Sequence, residues 1–269
     1  MSSIDRLREI VARLRAPDGC PWDREQTHES LKSHLIEECY ELIDAIDERD
    51  DETLREELGD LLLQVMLHAQ MASEEGRFDF DSVAGSIAEK LIRRHPHVFS
   101  DLKLSTSDAV LRQWDAIKRH EKTDRESALD GVPRFLPALA RAQKVQSKAA
   151  RIGFDWPDST GTLEKVKEEV AELEQAKDHD QLAEEVGDLL FAVVNFARKS
   201  KLEAEDLLQT ATRKFSDRFR RMEILTEKRG LLLSGLTLAE MDQLWNEVKQ
   251  SVKKQEQHRS PTSAGGEPL

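Results

Sequence analysis

Two acidic patterns, half a chain apart, constrain this sequence more than any other feature. Glu37, Glu38 and Glu41 are followed by Glu57 and Asp60; Glu168, Glu169 and Glu172 are followed by Glu185 and Asp188. As strings they read LIEECYEL with REELGDLLL, and VKEEVAEL with AEEVGDLLF. Glu38 and Glu169 stand 131 residues apart, Asp60 and Asp188 128 apart, and Trp114 and Trp245 again 131 apart. A register that holds across the pattern, with one short shift, indicates a duplicated unit. Two halves with one fold are expected, each long enough to bury its own core.

The acids sit where helices need apolar residues. In the first copy the stripe Leu31, Leu35, Leu42, Ile46 has helical spacing, and Glu38 falls inside it. Asp60 runs straight into Leu61, Leu62 and Leu63; Asp188 opens the run Leu189 to Val194. Glu169 falls between Val166 and Leu173. An unpaired carboxylate on a buried stripe costs roughly several kcal/mol, so converging ones need cations. A bound metal is the economical source.

The net charge of −13 argues against a nucleic-acid or anionic-membrane partner, because neither polyanion is drawn to such a field. Only Cys20 and Cys39 occur, without metal-ligand spacing, and neither a signal segment nor a membrane span is evident, so a cytoplasmic location is expected. Charged residues make up 35%, and apolar positions recur at helical spacing, so the chain reads as all-α. The breaks place helices at about 28–49, 52–75, 81–94, 106–121, 134–152, 162–177, 180–199, 203–229 and 237–256. Asp51 is the expected cap of the second, Gly76 its stop, and His95-Pro96 the end of the third. The domains are expected at 1–122 and 134–257, joined by a linker over 123–133, with a disordered tail over 258–269.

PWDREQTHESL at 21–31, the paired EExxE and ExxD motifs, RRHPHVF at 93–99 and WDAIK at 114–118 together resemble the MazG family of nucleoside triphosphate pyrophosphohydrolases in its two-domain form. The likeness covers about residues 4–255. It implies tandem all-α helical-bundle domains that dimerise. It also implies Mg²⁺-dependent hydrolysis of NTPs and dNTPs to NMP and pyrophosphate, with Mn²⁺ as a substitute ion, in the upkeep of nucleotide pools.

Within that likeness, Glu169, Glu172, Glu185 and Asp188 are the expected metal ligands, and Glu168 or Glu172 orients or deprotonates the attacking water. Lys214 and Arg218, one helical turn apart, suit a triphosphate as a point charge and a bidentate fork, with Lys165 a weaker candidate. Trp245 and Asn246 resemble the family's nucleotide contact, although a Trp on an amphipathic helix is more often core. The first copy offers a second set: Glu37, Glu38, Glu41, Glu57, Asp60, Lys90, Arg94 and Trp114. His28, His34, His68, His95 and His97 form no metal pattern, and no Glu-x-x-His pairing points to a di-iron bundle. A narrow dUTP or modified-nucleotide pyrophosphatase and a non-enzymatic Mg-nucleotide sensor remain alternatives. The apolar run Leu189 to Phe196 calls for a partner, so a homodimer is the minimum expectation.

Overall fold

The computed structural model describes residues 1–121 and 126–259, and every regular element among them is helical. The chain divides into two compact units, Met1–Thr123 and Asp124–Leu269. In unit 1 the helices are α1 (Ser3–Arg15), α2 (Pro21–Glu25), α3 (Lys32–Glu48), α4 (Asp51–Glu74), α5 (Phe80–Arg94), α6 (Pro96–Phe99) and α7 (Ser107–Glu121). In unit 2 they are α8 (Ala138–Ala150), α9 (Ser159–Gln175), α10 (His179–Lys199), α11 (Ala204–Lys228) and α12 (Leu238–Arg259), with a 3-10 turn at Leu233–Gly235.

Each unit is organised on one antiparallel pair, α3 with α4 and α9 with α10. The turn between α3 and α4 is tight because Arg49 closes α3 in the left-handed conformation, at φ 58°. Asp50, rather than the expected Asp51, caps α4: its carboxylate accepts from the backbone N–H groups of Glu52 and Thr53. Asp178 does the same for α10, accepting from Gln181. The reason is positional, since only a residue outside the helix can turn its side chain onto the first free N–H groups.

Three pairs of helix starts keep offsets close to those of the sequence motifs. α4 and α10 begin 128 residues apart, α5 and α11 124 apart, and α7 and α12 131 apart. The duplication is therefore one of structure as well as sequence.

Unit 1 closes its core where α1 crosses α4. Val11, Leu31, Met66, Leu67 and Met71 are buried there, with Leu7, Leu62, Leu63 and Phe80 packed against them. The sequence reading placed no helix before residue 28, although Ser2 and Asp5 form a capping box at the start of α1. In unit 2 Val194, Ala197 and Ala204 form one cluster, and Met222, Leu244 and Val248 another between α11 and α12. Gln143 on α8 ties the start of α11 in place: its amide donates to Leu202 O and Glu203, and its carbonyl oxygen accepts from Ala204 N–H. This serves a helix end whose cap, Glu203, makes no side-chain bond to the helix's first N–H groups.

The segment before α9 is also fixed. Asp155 accepts from Arg198 and Lys199 of α10, and Gly161 admits the Trp156 indole, since a Cβ there would lie 2.2 Å from Trp156 Cδ1. Residues 123–125 of the expected linker lie outside the described residues, as does the expected tail beyond Arg259. The remainder of the linker is held to unit 2, where Lys148 Nζ donates to the carbonyls of Ala128 and Asp130.

Leu31 is fully buried at the hinge into α3. Leu31→Ala is expected to cost about 2–5 kcal/mol, read as a lower urea midpoint for unit 1 at unchanged slope.

Candidate metal and nucleotide site

In each unit the central helix pair brings three glutamates together. Glu38 and Glu41 of α3 meet Glu57 of α4, and Glu169 and Glu172 of α9 meet Glu185 of α10; within each trio the carboxylate oxygens lie within 4.8 Å of one another. These are the groups among the described residues with the geometry to hold a metal ion. The reason is helical: two acids three residues apart on one helix share a face, and the partner helix supplies the third across the crossing.

The electrostatics show unrelieved crowding. Burial, with the neighbouring charges of Asp60 and Glu41, pushes the Glu38 carboxyl above its ordinary range. Burial and then Glu41 do the same to Glu57. In unit 2 burial, followed by Glu172 and Glu169, raises Glu185. Glu169 is only 4% exposed, and its Oε2 is buried without any hydrogen-bond partner. A buried carboxylate oxygen with no donor is a costly arrangement that a cation would satisfy.

The remaining acids stand aside from these trios. Asp60 and Asp188 lie outside them but close enough to act as neighbouring charges, Asp60 on Glu38 and Glu57 and Asp188 on Glu185. Glu37 and Glu168 sit on the outer flank. Glu37 is 3.6 Å from His34, and Glu168 is 2.8 Å from Lys165.

Lys165, expected as a substrate contact, is engaged with acids in this structure. Its Nζ is 2.8 Å from both Glu168 Oε1 and Glu169 Oε1, and these bonds raise its pKa. In the first copy the residue in its register is His34, and Glu38 is bonded instead by the buried Gln64 amide. The second copy thus carries a resident cation where the first carries an amide. Neither Gln64 nor the Lys165 pairing was anticipated, because Gln64 lies within a run of apolar residues and carries no charge.

The basic and aromatic residues form a separate group on α11 and α12. Arg218 Cζ lies 5.9 Å from the Trp245 ring centre, Phe215 is 5.0 Å from the same indole, and Lys214 is exposed. Trp245 packs against the α11–α12 core, and the exposed Asn246 donates to Asp242. Among the described residues no hydrogen bond, ion pair or ring contact joins Lys214, Arg218, Trp245 or Asn246 to the glutamate trio. In unit 1 Arg94 lies over Trp114 in the same way, and Lys118 covers that indole as well; Lys90 is half-buried.

Fold and site together define a class: an all-α protein of two duplicated helix pairs, each crossing on a cluster of glutamates suited to a hard divalent cation. The chain belongs to the MazG family. The model of the "MazG nucleotide pyrophosphohydrolase domain" matches twice, at residues 26–99 and 159–222. The chain is 49% identical over 247 residues to the "Nucleoside triphosphate pyrophosphohydrolase/pyrophosphatase MazG" of Thermotoga maritima, covering 91% of this chain and 95% of that one. It is 48% identical over 257 residues to the "Nucleoside triphosphate pyrophosphohydrolase" of Escherichia coli K12, covering 93% and 98%. It is also 49% identical over 253 residues to the "Uncharacterized protein YabN" of Bacillus subtilis, covering 92% of this chain and 52% of that one.

The raised carboxyls give a pH test. Between the ordinary and the raised value the folded chain holds more protons than the unfolded one, so this contribution to stability falls as pH rises. Glu38→Gln keeps a partner for Gln64 and removes the charge. In chelator at pH 7 it is expected to raise Tm by about 2–5 °C over wild type, a gain that vanishes below the carboxylate range. Added Mg²⁺ should raise wild-type Tm at pH 7 and have little effect at pH 4.

Proposed function

We propose that the chain hydrolyses nucleoside triphosphates, ribo and deoxy, between the α and β phosphates, with Mg²⁺ at the acidic crossing of the second copy and Mn²⁺ as a substitute. The observation that carries this reading is Glu169, buried among Glu172 and Glu185 with one oxygen lacking a donor. The names of the relatives, which cover almost the whole chain, support the substrate class.

The donor set fits the ion. Carboxylate oxygens suit Mg²⁺, which favours a few carboxylates together with phosphate oxygens over a complete protein cage. When bound, such an ion neutralises charge on the phosphates and draws them to the crossing.

The rest falls to the chain's own side chains. A water must be aimed at the α-phosphorus; its oxygen bonds to phosphorus as the bond to the bridging oxygen breaks, pyrophosphate leaves, and the water's proton passes to a base. Of the two glutamates considered for that role, Glu168 is tied to Lys165, while Glu172 is exposed and, among the described residues, makes no ion pair. We therefore assign the water to Glu172. Lys165, held at 2.8 Å from Glu169, supplies that buried acid with a cationic partner. Arg218, whose buried Nε lacks a partner, is the fork for the β or γ phosphate, with Lys214 as a mobile charge.

A homodimer or higher homo-oligomer belongs to the proposal. Leu182, Val186, Leu190 and Val193 form an exposed apolar stripe along α10, and in unit 1 the exposed Leu58 and Val65 of α4 keep the same register. Stripes of this kind on a helix pair are covered by another helix pair in bundles. A role in clearing excess or aberrant nucleotides, in the cytoplasm, completes the reading. Among the described residues no helix is long and apolar enough to cross a membrane.

The test is an incubation with a panel of NTPs and dNTPs, with and without Mg²⁺, in which NMP plus pyrophosphate is separated from NDP plus orthophosphate. Wild type is expected to give the first pair only when metal is present. Glu172→Gln should lower kcat by about 10²-fold or more at unchanged helical content, as loss of a positioned base does, whereas Glu41→Gln should leave most turnover intact. Binding without turnover of any nucleotide would turn the assignment to a Mg-nucleotide sensor.

A further inference from the structure

The two copies share a register at the Arg–Trp pair but differ by one acid. α7 and α12 are each opened by a threonine, and these lie 131 residues apart: Thr106 Oγ1 accepts from Ala109 N–H, and Thr237 Oγ1 from Glu240 N–H. The 124-residue register of α5 and α11 sets Arg94 against Arg218. Arg94 Cζ is 5.6 Å from the Trp114 ring centre, and Arg218 Cζ 5.9 Å from that of Trp245.

What each guanidinium binds is different. Arg94 Nε and Nη2 both donate to Glu121 Oε2, at 2.9 and 2.5 Å, and Arg93 Nε donates to Oε1 at 2.5 Å. The side chains of Arg94 and Glu121 are 12% and 18% exposed. These donors hold the Glu121 carboxyl down to about 2, so it is an anion throughout the physiological range. In the second copy the residue in register with Glu121 is Val252, which offers no anion, and Arg218 Nε is buried with no partner. Two donors of one guanidinium meeting a charged oxygen beside an aromatic ring is also how arginine takes a phosphate oxygen. Carboxylate and phosphate present the same feature to that fork.

We propose that Glu121 is an internal anion, occupying in the first copy the position that a substrate phosphate takes against Arg218 in the second, and so closing the first copy's basic helix to triphosphates. The proposal rests on the reading of the second copy as the triphosphate site. A phosphate entering the first copy must displace a carboxylate tethered to the same unit, which competes at a high effective concentration. The first copy therefore keeps glutamates able to hold a cation but has its arginine occupied. This contact, rather than any missing acid, makes the two copies unequal toward substrate.

The test is calorimetric titration of the full chain with inorganic tripolyphosphate in Mg²⁺. Wild type is expected to bind one tripolyphosphate per chain and Glu121→Gln two, the new site being about tenfold or more tighter than any first-copy binding in wild type. Glu121→Gln with Arg94→Ala should return to one. The converse variant, Val252→Glu, which places the first copy's acid at the matching register position, should weaken binding at the second copy by about tenfold or more. One site in Glu121→Gln, with helical content preserved, overturns the proposal. If Glu121→Gln does not fold, unchanged affinity in Val252→Glu overturns it instead. Wild type with no site and Glu121→Gln with one would refute the reading of the second copy while supporting the Glu121 contact.

Discussion

Repulsion among carboxylates at a helix crossing is the constraint on which the rest of this structure depends. Each unit places three glutamates on the inner faces of its central pair, where burial and neighbouring charge raise the carboxyls of Glu38, Glu57 and Glu185 and where Glu169 leaves an oxygen with no donor. A chain selected for stability alone would fill those positions with the Leu and Val that occupy the next turn, since apolar replacement of buried charge is often neutral or stabilising. The acids make sense as ligands, and the packing outside them, α1 across α4 and α8 across α10, holds the pair in register around them.

The duplication shows how one framework carries two differently tuned sites. The helix starts repeat at fixed offsets, yet the groups that answer the acids and the cations do not. Glu169 has an ammonium at 2.8 Å, whereas Glu38 has the amide of Gln64; Arg218 has an unpartnered donor, whereas Arg94 is held by Glu121. The differences lie in single side chains beside the shared motif, and each changes a local charge balance without altering a helix.

Much of this was legible in the sequence, for physical reasons. Helix type and approximate extent followed from apolar spacing and from stops such as Gly76 and the His95-Pro96 pair, and the converging glutamates followed from acids lying on apolar stripes. Helix α1 was missed although Ile4, Leu7, Val11 and Leu14 keep helical spacing and the Ser2–Asp5 capping box was available as a signal. Spacing alone gave Asp60 and Asp188 the same standing as the glutamates, whereas the trios are made by glutamates. Lys165 read as a phosphate contact because a string shows that it is basic and one turn from Glu169, and not that it bonds to it. Glu121 carried no motif at all; its partners are 27 and 28 residues away, and only the fold brings them together.

The most direct measurement is turnover of a nucleoside triphosphate in ¹⁸O-labelled water with Mg²⁺, followed by mass spectrometry of both products. If the chain's residues aim water at the α-phosphorus, one ¹⁸O appears in the nucleoside monophosphate and none in the pyrophosphate. Label in pyrophosphate, or release of labelled orthophosphate, would contradict the account.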